Sequence, residues 1–166
     1  DKGDTRISEG GVKNIHGTPY YSAFEACVQS VMASFNSWNG VKMHGHEYLL
    51  TDVLRDQMGF NGLVVGDWNG HGEVPGCTNA NCPESLNAGV DIYMAPDEWK
   101  ELYTNTVRAV KSGDISEDRL DDAVRKILTV KERLGMLDGR KPHEYETVSY
   151  THLRAHETVL DLVCRL

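Results

Sequence analysis

The sequence feature that most constrains the fold is a short apolar run at residues 63–65, bracketed by glycines and followed by Asp67 and Trp68. A β-branched run of this length between turn residues is typical of a buried strand in a parallel sheet. Asp67 then lies at the carboxyl end of that strand, where barrels and open α/β sheets collect their binding and catalytic groups. Because the face of an indole stacks well on a sugar ring, an acid beside a tryptophan here indicates chemistry on carbohydrate.

Composition and charge narrow the possible partners. The 166 residues, 40% of them apolar, suit one domain with a sizeable core. The formal net charge of −8 argues against nucleic acid or an anionic membrane surface as the main partner. No apolar run approaches the roughly 20 residues that a membrane-spanning helix needs. The chain starts at Asp1 without an initiator Met, so we expect a fragment of a longer protein. The absence of a signal peptide from this fragment therefore says nothing about the cellular location of that protein.

Three strand–helix units follow one another along the chain. Predicted strands cover residues 30–36, 63–66 and 89–95, and predicted helices cover about 19–29, 46–58, 83–88, 96–112 and 116–134. Residues 1–18 are predicted to be a loop and residues 37–40 a turn. Parallel strands joined by crossover helices are the economical arrangement for this order, so the fold class is α/β. Three strands cannot close a barrel of about eight. We therefore expect either a small open sheet or, as the abrupt start favours, the last three β/α units of a (β/α)8 TIM-like barrel plus a terminal helix.

Two segments need separate treatment. Residues 148–166 continue no upstream pattern and resemble adaptor read-through at the end of a translated sequencing read. We assign residues 1–147 to one portion of a barrel domain and treat 148–166, including Cys164, as a non-native tail. Cys77 and Cys82 lie in a loop rich in Gly, Pro and Asn, where they could close a disulfide in an exported protein or bind a metal. The sequence leaves both open.

Four segments together resemble glycoside hydrolase family 3, the family of β-glucosidases and exo-β-glucanases, and in particular its exo-glucanase branch. Their order and spacing match that family over about residues 5 to 145. The segments are VMASFNSWNG at 31–40, GFNGLVVGDW at 59–68, AGVDIYM at 88–94 and RLDDAVRKIL at 119–128.

The resemblance implies the carboxyl-terminal part of that family's first domain, a (β/α)8-like barrel. It implies that Asp67 is the nucleophile of a retaining mechanism and that Trp68 forms a wall of the aglycone-side subsite. It also implies that Met32, Phe35 and Met94 line the pocket around the glucosyl ring, whereas the residues alone favour a core role for these three. The position of Phe35 is commonly Tyr in the family, which puts one hydroxyl contact in doubt.

The resemblance also indicates what this chain does not contain. The family's Lys-His pair that holds sugar hydroxyls would precede Asp1, and the general acid/base Glu belongs to a second domain of the same protein. Retaining hydrolysis needs both carboxyl groups, about 5–5.5 Å apart. We therefore expect a β-glucoside or β-glucan oligosaccharide as substrate, no cofactor, and an inactive isolated fragment. A periplasmic or extracellular location is expected from the family.

Two rival functions remain open. A metal-dependent barrel hydrolase would use His44, His46 and Asp67, although the sequence favours histidines that face solvent over a metal pair. A non-catalytic carbohydrate-binding remnant would stack sugars on Trp68. Glu73 lies too close in sequence to Asp67, in a long loop, for us to expect it to be the acid partner.

Overall fold

A computed structural model describes residues 2–139, 141 and 144 of the chain. Six strands are present in this part: β1 Asp4–Thr5, β2 Ser30–Met32, β3 Ser37–Trp38, β4 Val41–Lys42, β5 Leu63–Trp68 and β6 Ile92–Met94. The α-helices are α1 Glu9–Gly11, α2 Thr18–Glu25, α3 Pro83–Ala88, α4 Trp99–Ser112 and α5 Glu117–Arg133. Helices of π type cover Val12–His16 and Tyr48–Gln57, and 3-10 turns cover Met43–Gly45 and Gly70–Glu73. The predicted boundary at 147 and the tail 148–166 lie outside the described residues.

The parallel sheet predicted from the sequence is present, in the order β2–β5–β6. Val31 lies opposite Val64, and Val65 lies opposite Ile92. Gly62 permits the close approach of β5 to the chain before β2, because a Cβ at this position would lie 2.3 Å from the Gln29 carbonyl oxygen. The three strands run in the same direction, so their carboxyl ends meet at one edge. The predicted α/β class is therefore confirmed.

The core lies between this sheet and the π-helix Tyr48–Gln57. Leu50 and Leu54 of that helix pack with Phe60, Val64 and other buried apolar residues, namely Ala33, Ala88 and Val90. A second, smaller cluster joins Leu86, Ala109 and Ile115 beneath α3 and α4. The helical spacing predicted for residues 46–58 thus buries the face it was expected to bury.

Local helix signals were reliable. Helix α3 occupies the predicted residues and begins with Pro83 at its first turn. The side chain of Ser116 accepts a hydrogen bond from the Arg119 N–H and so caps α5 as predicted. Helix α4 ends at Gly113, which adopts a left-handed conformation with a φ of 86°.

The amino-terminal loop prediction was wrong. Residues 1–18 contain β1, which pairs in parallel with β3 across more than thirty residues, and the helical segments of residues 9–16. The predicted turn at residues 37–40 is a hairpin in which β3 pairs antiparallel with β4. A turn is present at residues 39–40, inside the predicted range, whereas β1 was missed because a two-residue strand held by a distant partner carries no periodicity of its own.

A buried ion-pair network ties the sheet to its helices. Asp91, directly before β6, has no exposed side-chain surface, and its carboxylate pairs with Arg55 at 2.5 Å and with Arg119 at 2.8 Å. It also accepts the N–H of Val64 at 2.7 Å. Asp91 therefore has a structural role, at the end of the sheet opposite Asp67. In the described part of the chain, no helix is long and apolar enough to cross a membrane.

Candidate active site

The carboxyl edge of the parallel sheet gathers four of the five predicted site residues. Met32 ends β2, Asp67 and Trp68 end β5, and Met94 ends β6. Trp68 and Met94 are register partners. Phe35 follows three residues after β2, and its ring lies 6.1 Å from that of His44. The strand ends therefore converge as the sequence predicted.

Asp67 is half-buried and is held at both its backbone and its side chain. Its Oδ1 accepts a hydrogen bond from the Trp68 N–H at 2.7 Å. Its own N–H donates to His44 Nε2 at 2.8 Å. Within the part of the chain that the structure describes, Asp67 makes no ion pair. A carboxylate that no cation neutralises keeps its negative charge available to attack an electrophilic carbon.

Two of the predicted sugar contacts are open to solvent. Trp68 is 58% exposed and Met32 is 47% exposed, so neither is a core residue. Phe35 and Met94 are half-buried. The Nζ atom of Lys2 lies 5.3 Å from the centroid of the Phe35 ring, within cation–π distance.

One of the cavities of the structure lies beside this edge of the sheet. A cavity of about 380 Å³ is lined by Met32 together with apolar residues such as Trp38, Met43 and Leu50. Asp67 does not line it. The pocket role predicted for Met32, Phe35 and Met94 thus stays a prediction.

His44 lies directly behind Asp67 and is 1% exposed, whereas His46 is 8% exposed. The prediction that both histidines face solvent was therefore wrong. Burial disfavours the imidazolium and lowers the pKa of His44 to about 4. Burial also lowers the pKa of His46, which stacks on Trp38 with ring centroids 5.4 Å apart. Spacing in the sequence could not distinguish these buried rings from surface ones.

The metal hypothesis does not fit these contacts. The Nε2 lone pair of His44 already accepts the Asp67 N–H, so this nitrogen is not available as a metal ligand. Among the described residues, one set of ligand atoms is clustered closely enough to hold an ion, namely those of Cys77, Cys82 and Glu84. Cys77 and Cys82 are joined in a disulfide, so neither offers a thiolate. Of the two possibilities left open for this pair, the structure contains the disulfide.

The loop after Trp68 holds no second catalytic carboxylate among the described residues. Glu73 accepts a hydrogen bond from Lys2 at 2.7 Å and lies 3.5 Å from Lys42. The hydrogen bond from Lys2 lowers the pKa of Glu73, whereas a general acid needs a raised pKa. His71 is buried against Tyr93, and its Nε2 pairs with the Asn79 carbonyl at 2.8 Å. The geometry agrees with the sequence-based doubt about Glu73.

The chain matches a known protein family over most of its length. Residues 1–130 match the model of the glycosyl hydrolase family 3 N-terminal domain. The chain belongs to glycosyl hydrolase family 3. The resemblance drawn from the four sequence segments is thereby confirmed.

Solved structures and curated relatives in family 3 agree with this assignment. The exo-1,3/1,4-β-glucanase of a Pseudoalteromonas species is 50% identical with a TM-score of 0.86, over 88% of this chain and 18% of that one. The periplasmic β-glucosidase of Salmonella typhimurium is 36% identical over 78% of this chain and 17% of its own length. A β-glucosidase of Rhizobium radiobacter is 32% identical over 80% of this chain and 15% of its own.

The family 3 assignment settles the fold of the chain. The chain is part of a TIM-like barrel domain of a glycosidase family. It spans less than a fifth of the length of these relatives, at 15%, 17% and 18%. The sequence placed Asp67 and Trp68 correctly at the end of a strand but did not reveal the buried environment of His44.

Proposed function

We propose that this chain supplies the nucleophile, Asp67, of a retaining exo-acting β-glucosidase or exo-β-glucanase. The observation that carries the proposal is the position of Asp67, at the carboxyl end of β5, without an ion-pair partner in the described residues and beside an exposed tryptophan. The similarity to an exo-1,3/1,4-β-glucanase over most of the chain supports the same substrate class.

In the proposed reaction, a carboxylate oxygen of Asp67 attacks the anomeric carbon of the terminal glucosyl unit. The glycosidic C–O bond breaks, and the leaving oxygen takes a proton from a general acid. Water then attacks the same carbon, the Asp67 ester bond breaks, and the conjugate base of the acid accepts the proton from water. We place that acid/base glutamate in a second domain outside this chain, so the isolated fragment is expected to be inactive.

The substrate contacts follow from the strand ends. We propose that Trp68 stacks on the aglycone side of the scissile bond, since its indole is exposed next to Asp67. Met32, Phe35 and Met94 then surround the glucosyl ring. We take the substrate to be a β-glucoside or a β-glucan oligosaccharide, cleaved at its non-reducing end.

We propose that the full-length protein is located outside the cytoplasm. The Cys77–Cys82 disulfide is of a kind that persists in oxidising compartments. One relative is named as a periplasmic enzyme.

The proposal is tested in the full-length enzyme that carries this chain. Asp67→Asn should lower hydrolysis of an aryl β-glucoside by several orders of magnitude, because the amide cannot form the glycosyl ester. A 2-deoxy-2-fluoro glucoside should label the peptide that contains Asp67, as measured by mass. The matched control is Asp97→Asn, an exposed acid after β6, which should retain activity. Unchanged turnover in Asp67→Asn would remove Asp67 from the mechanism.

The exposure of Trp68 also fits the second candidate, a carbohydrate-binding protein without catalysis. Binding of β-glucan oligosaccharide by a full-length protein that neither hydrolyses it nor reacts with the fluoro glucoside would favour this candidate. Loss of that binding in Trp68→Ala would then be expected.

A further inference from the structure

We infer that His44 is a positioning residue for Asp67. The unprotonated Nε2 of His44 accepts the backbone N–H of Asp67 and so orients its carboxylate. The inference rests on the proposed nucleophilic role of Asp67. The hydrogen bond is 2.8 Å long and joins residues 23 positions apart. It fixes the main chain at the one residue of β5 whose side chain reacts.

The ring of His44 fills a space that Gly70 leaves open. A Cβ on Gly70 would overlap the His44 ring, whereas a Cβ on Gly66 would be in ordinary van der Waals contact with it at 3.4 Å. Because Gly70 has no side chain, the imidazole can occupy this space beside the segment that carries Asp67.

The main chain of His44 is fixed as well. Its carbonyl oxygen accepts a hydrogen bond from Ser85 Oγ at 2.7 Å, and Ser85 is fully buried in α3. The 3-10 turn Met43–Gly45 packs on α3 and on the 3-10 turn Gly70–Glu73. His44 thus has a rigid support from which to hold Asp67, as a positioning group requires.

Only one protonation state of His44 fits this contact. Because Nε2 accepts the hydrogen bond from the Asp67 N–H, the neutral ring must carry its proton on Nδ1. The hydrogen-bond partner of Nδ1 is then the backbone of Ser34. The ring then links the chain just after β2 to the end of β5. Protonation of Nε2 would set two donors against each other and release the Asp67 N–H.

The charged and titratable groups that face His44 shift its pKa in opposite directions. Asp67 favours the imidazolium, whereas Lys42 and His71 disfavour it. Burial is the largest influence and keeps the ring neutral. Loss of the acceptor should therefore disturb Asp67 without adding a charge to the site.

The decisive experiment compares His44→Leu with His44→Gln in the full-length enzyme. Leucine fills similar space without an acceptor, while the glutamine amide oxygen can reach the position of Nε2. We expect kcat, and the rate of labelling by a 2-deoxy-2-fluoro glucoside, to fall about 100-fold in His44→Leu with KM little changed, since a small misplacement of a reacting group costs this much. His44→Gln should recover at least about tenfold of that loss. Equal kcat in the two variants, or a loss confined to KM, would overturn the inference.

A second measurement does not depend on activity or on a variant that folds. Nitrogen-15 NMR of labelled histidine in the full-length enzyme distinguishes protonated from unprotonated ring nitrogens. Nε2 of His44 should be unprotonated and Nδ1 protonated at neutral pH, and a proton on Nε2 would overturn the inference. If the wild-type enzyme neither hydrolyses β-glucosides nor is labelled at Asp67, the proposed function fails instead, whatever the tautomer of His44.

Discussion

Replacing Asp91 by Asn should destabilise the fold severely, because it removes the buried carboxylate that pairs with Arg55 and one of the two carboxylates that pair with Arg119. The Asp91 side chain is 0% exposed, and those of Arg55 and Arg119 are 10% and 16% exposed. One carboxylate oxygen accepts both Arg55 Nη2 and the Val64 N–H, and the other accepts Arg119 Nη2. Asparagine preserves the shape of this group, so the change in charge and hydrogen bonding is isolated from packing.

The magnitude follows from how the amide must lie. Its least costly orientation keeps the oxygen toward Arg55 and Val64 and turns the NH2 toward Arg119, where a donor then faces a donor. Removing one partner of a buried ion pair costs about 3–5 kcal/mol. With a urea slope of about 2 kcal/mol per molar, the midpoint of unfolding should fall by about 2 M.

The assay is urea unfolding of the purified chain, followed by tryptophan fluorescence. The matched control is Asp97→Asn, which changes the same net charge at an exposed position and should stay within about 0.5 kcal/mol of wild type. A variant that is already unfolded in buffer would agree with the upper end of the expected range. If Asp91→Asn unfolds at the same urea concentration as the control, the network does not support the sheet as described.

Two further measurements test the candidate active site and the loop that the Cys77–Cys82 disulfide closes. The pKa of His44 is lowered to about 4, so between that value and about 6.5 the unfolded chain binds a proton that the folded chain does not. The contribution of neutral His44 to the free energy of unfolding should therefore be fully present above pH 6.5, and the free energy should fall by up to about 3 kcal/mol as the pH drops toward 4. The dependence of the free energy on pH should be shallower in His44→Gln. An identical pH dependence in both proteins would contradict the buried neutral ring. Replacing Cys77 and Cys82 by Ser opens a loop that the disulfide closes across a sequence separation of 5. The greater entropy of the unfolded chain should lower the free energy of unfolding by about 2 kcal/mol, measured as a lower urea midpoint. Added reductant should leave the midpoint of this variant unchanged. A wild-type midpoint equally insensitive to reductant would show that the bridge contributes nothing.

Local patterns were enough to predict much of the fold. The apolar run before Asp67, the Pro at the start of α3 and the Ser116 cap each act within a few residues, and all three elements formed where expected. Helix α5 shows where this reasoning stops. Its apolar residues Val124 and Leu128 have the helical spacing typical of a buried face, but they are 44% and 47% exposed, because periodicity does not say which residues have a neighbour to pack against.

The sequence by itself therefore determined the order of β2, β5 and β6 with the helices that join and follow them, and the placement of Asp67 and Trp68 at a strand end, since hydrophobic period and turn chemistry are local properties. Tertiary structure alone decided the environment of His44, whose partner lies 23 residues away, and the pairing of Asp91 with arginines 36 and 28 residues distant. Burial and hydrogen bonding between distant residues exist only once the chain has folded, and they set the protonation state of His44 and the geometry of the acid at the end of β5.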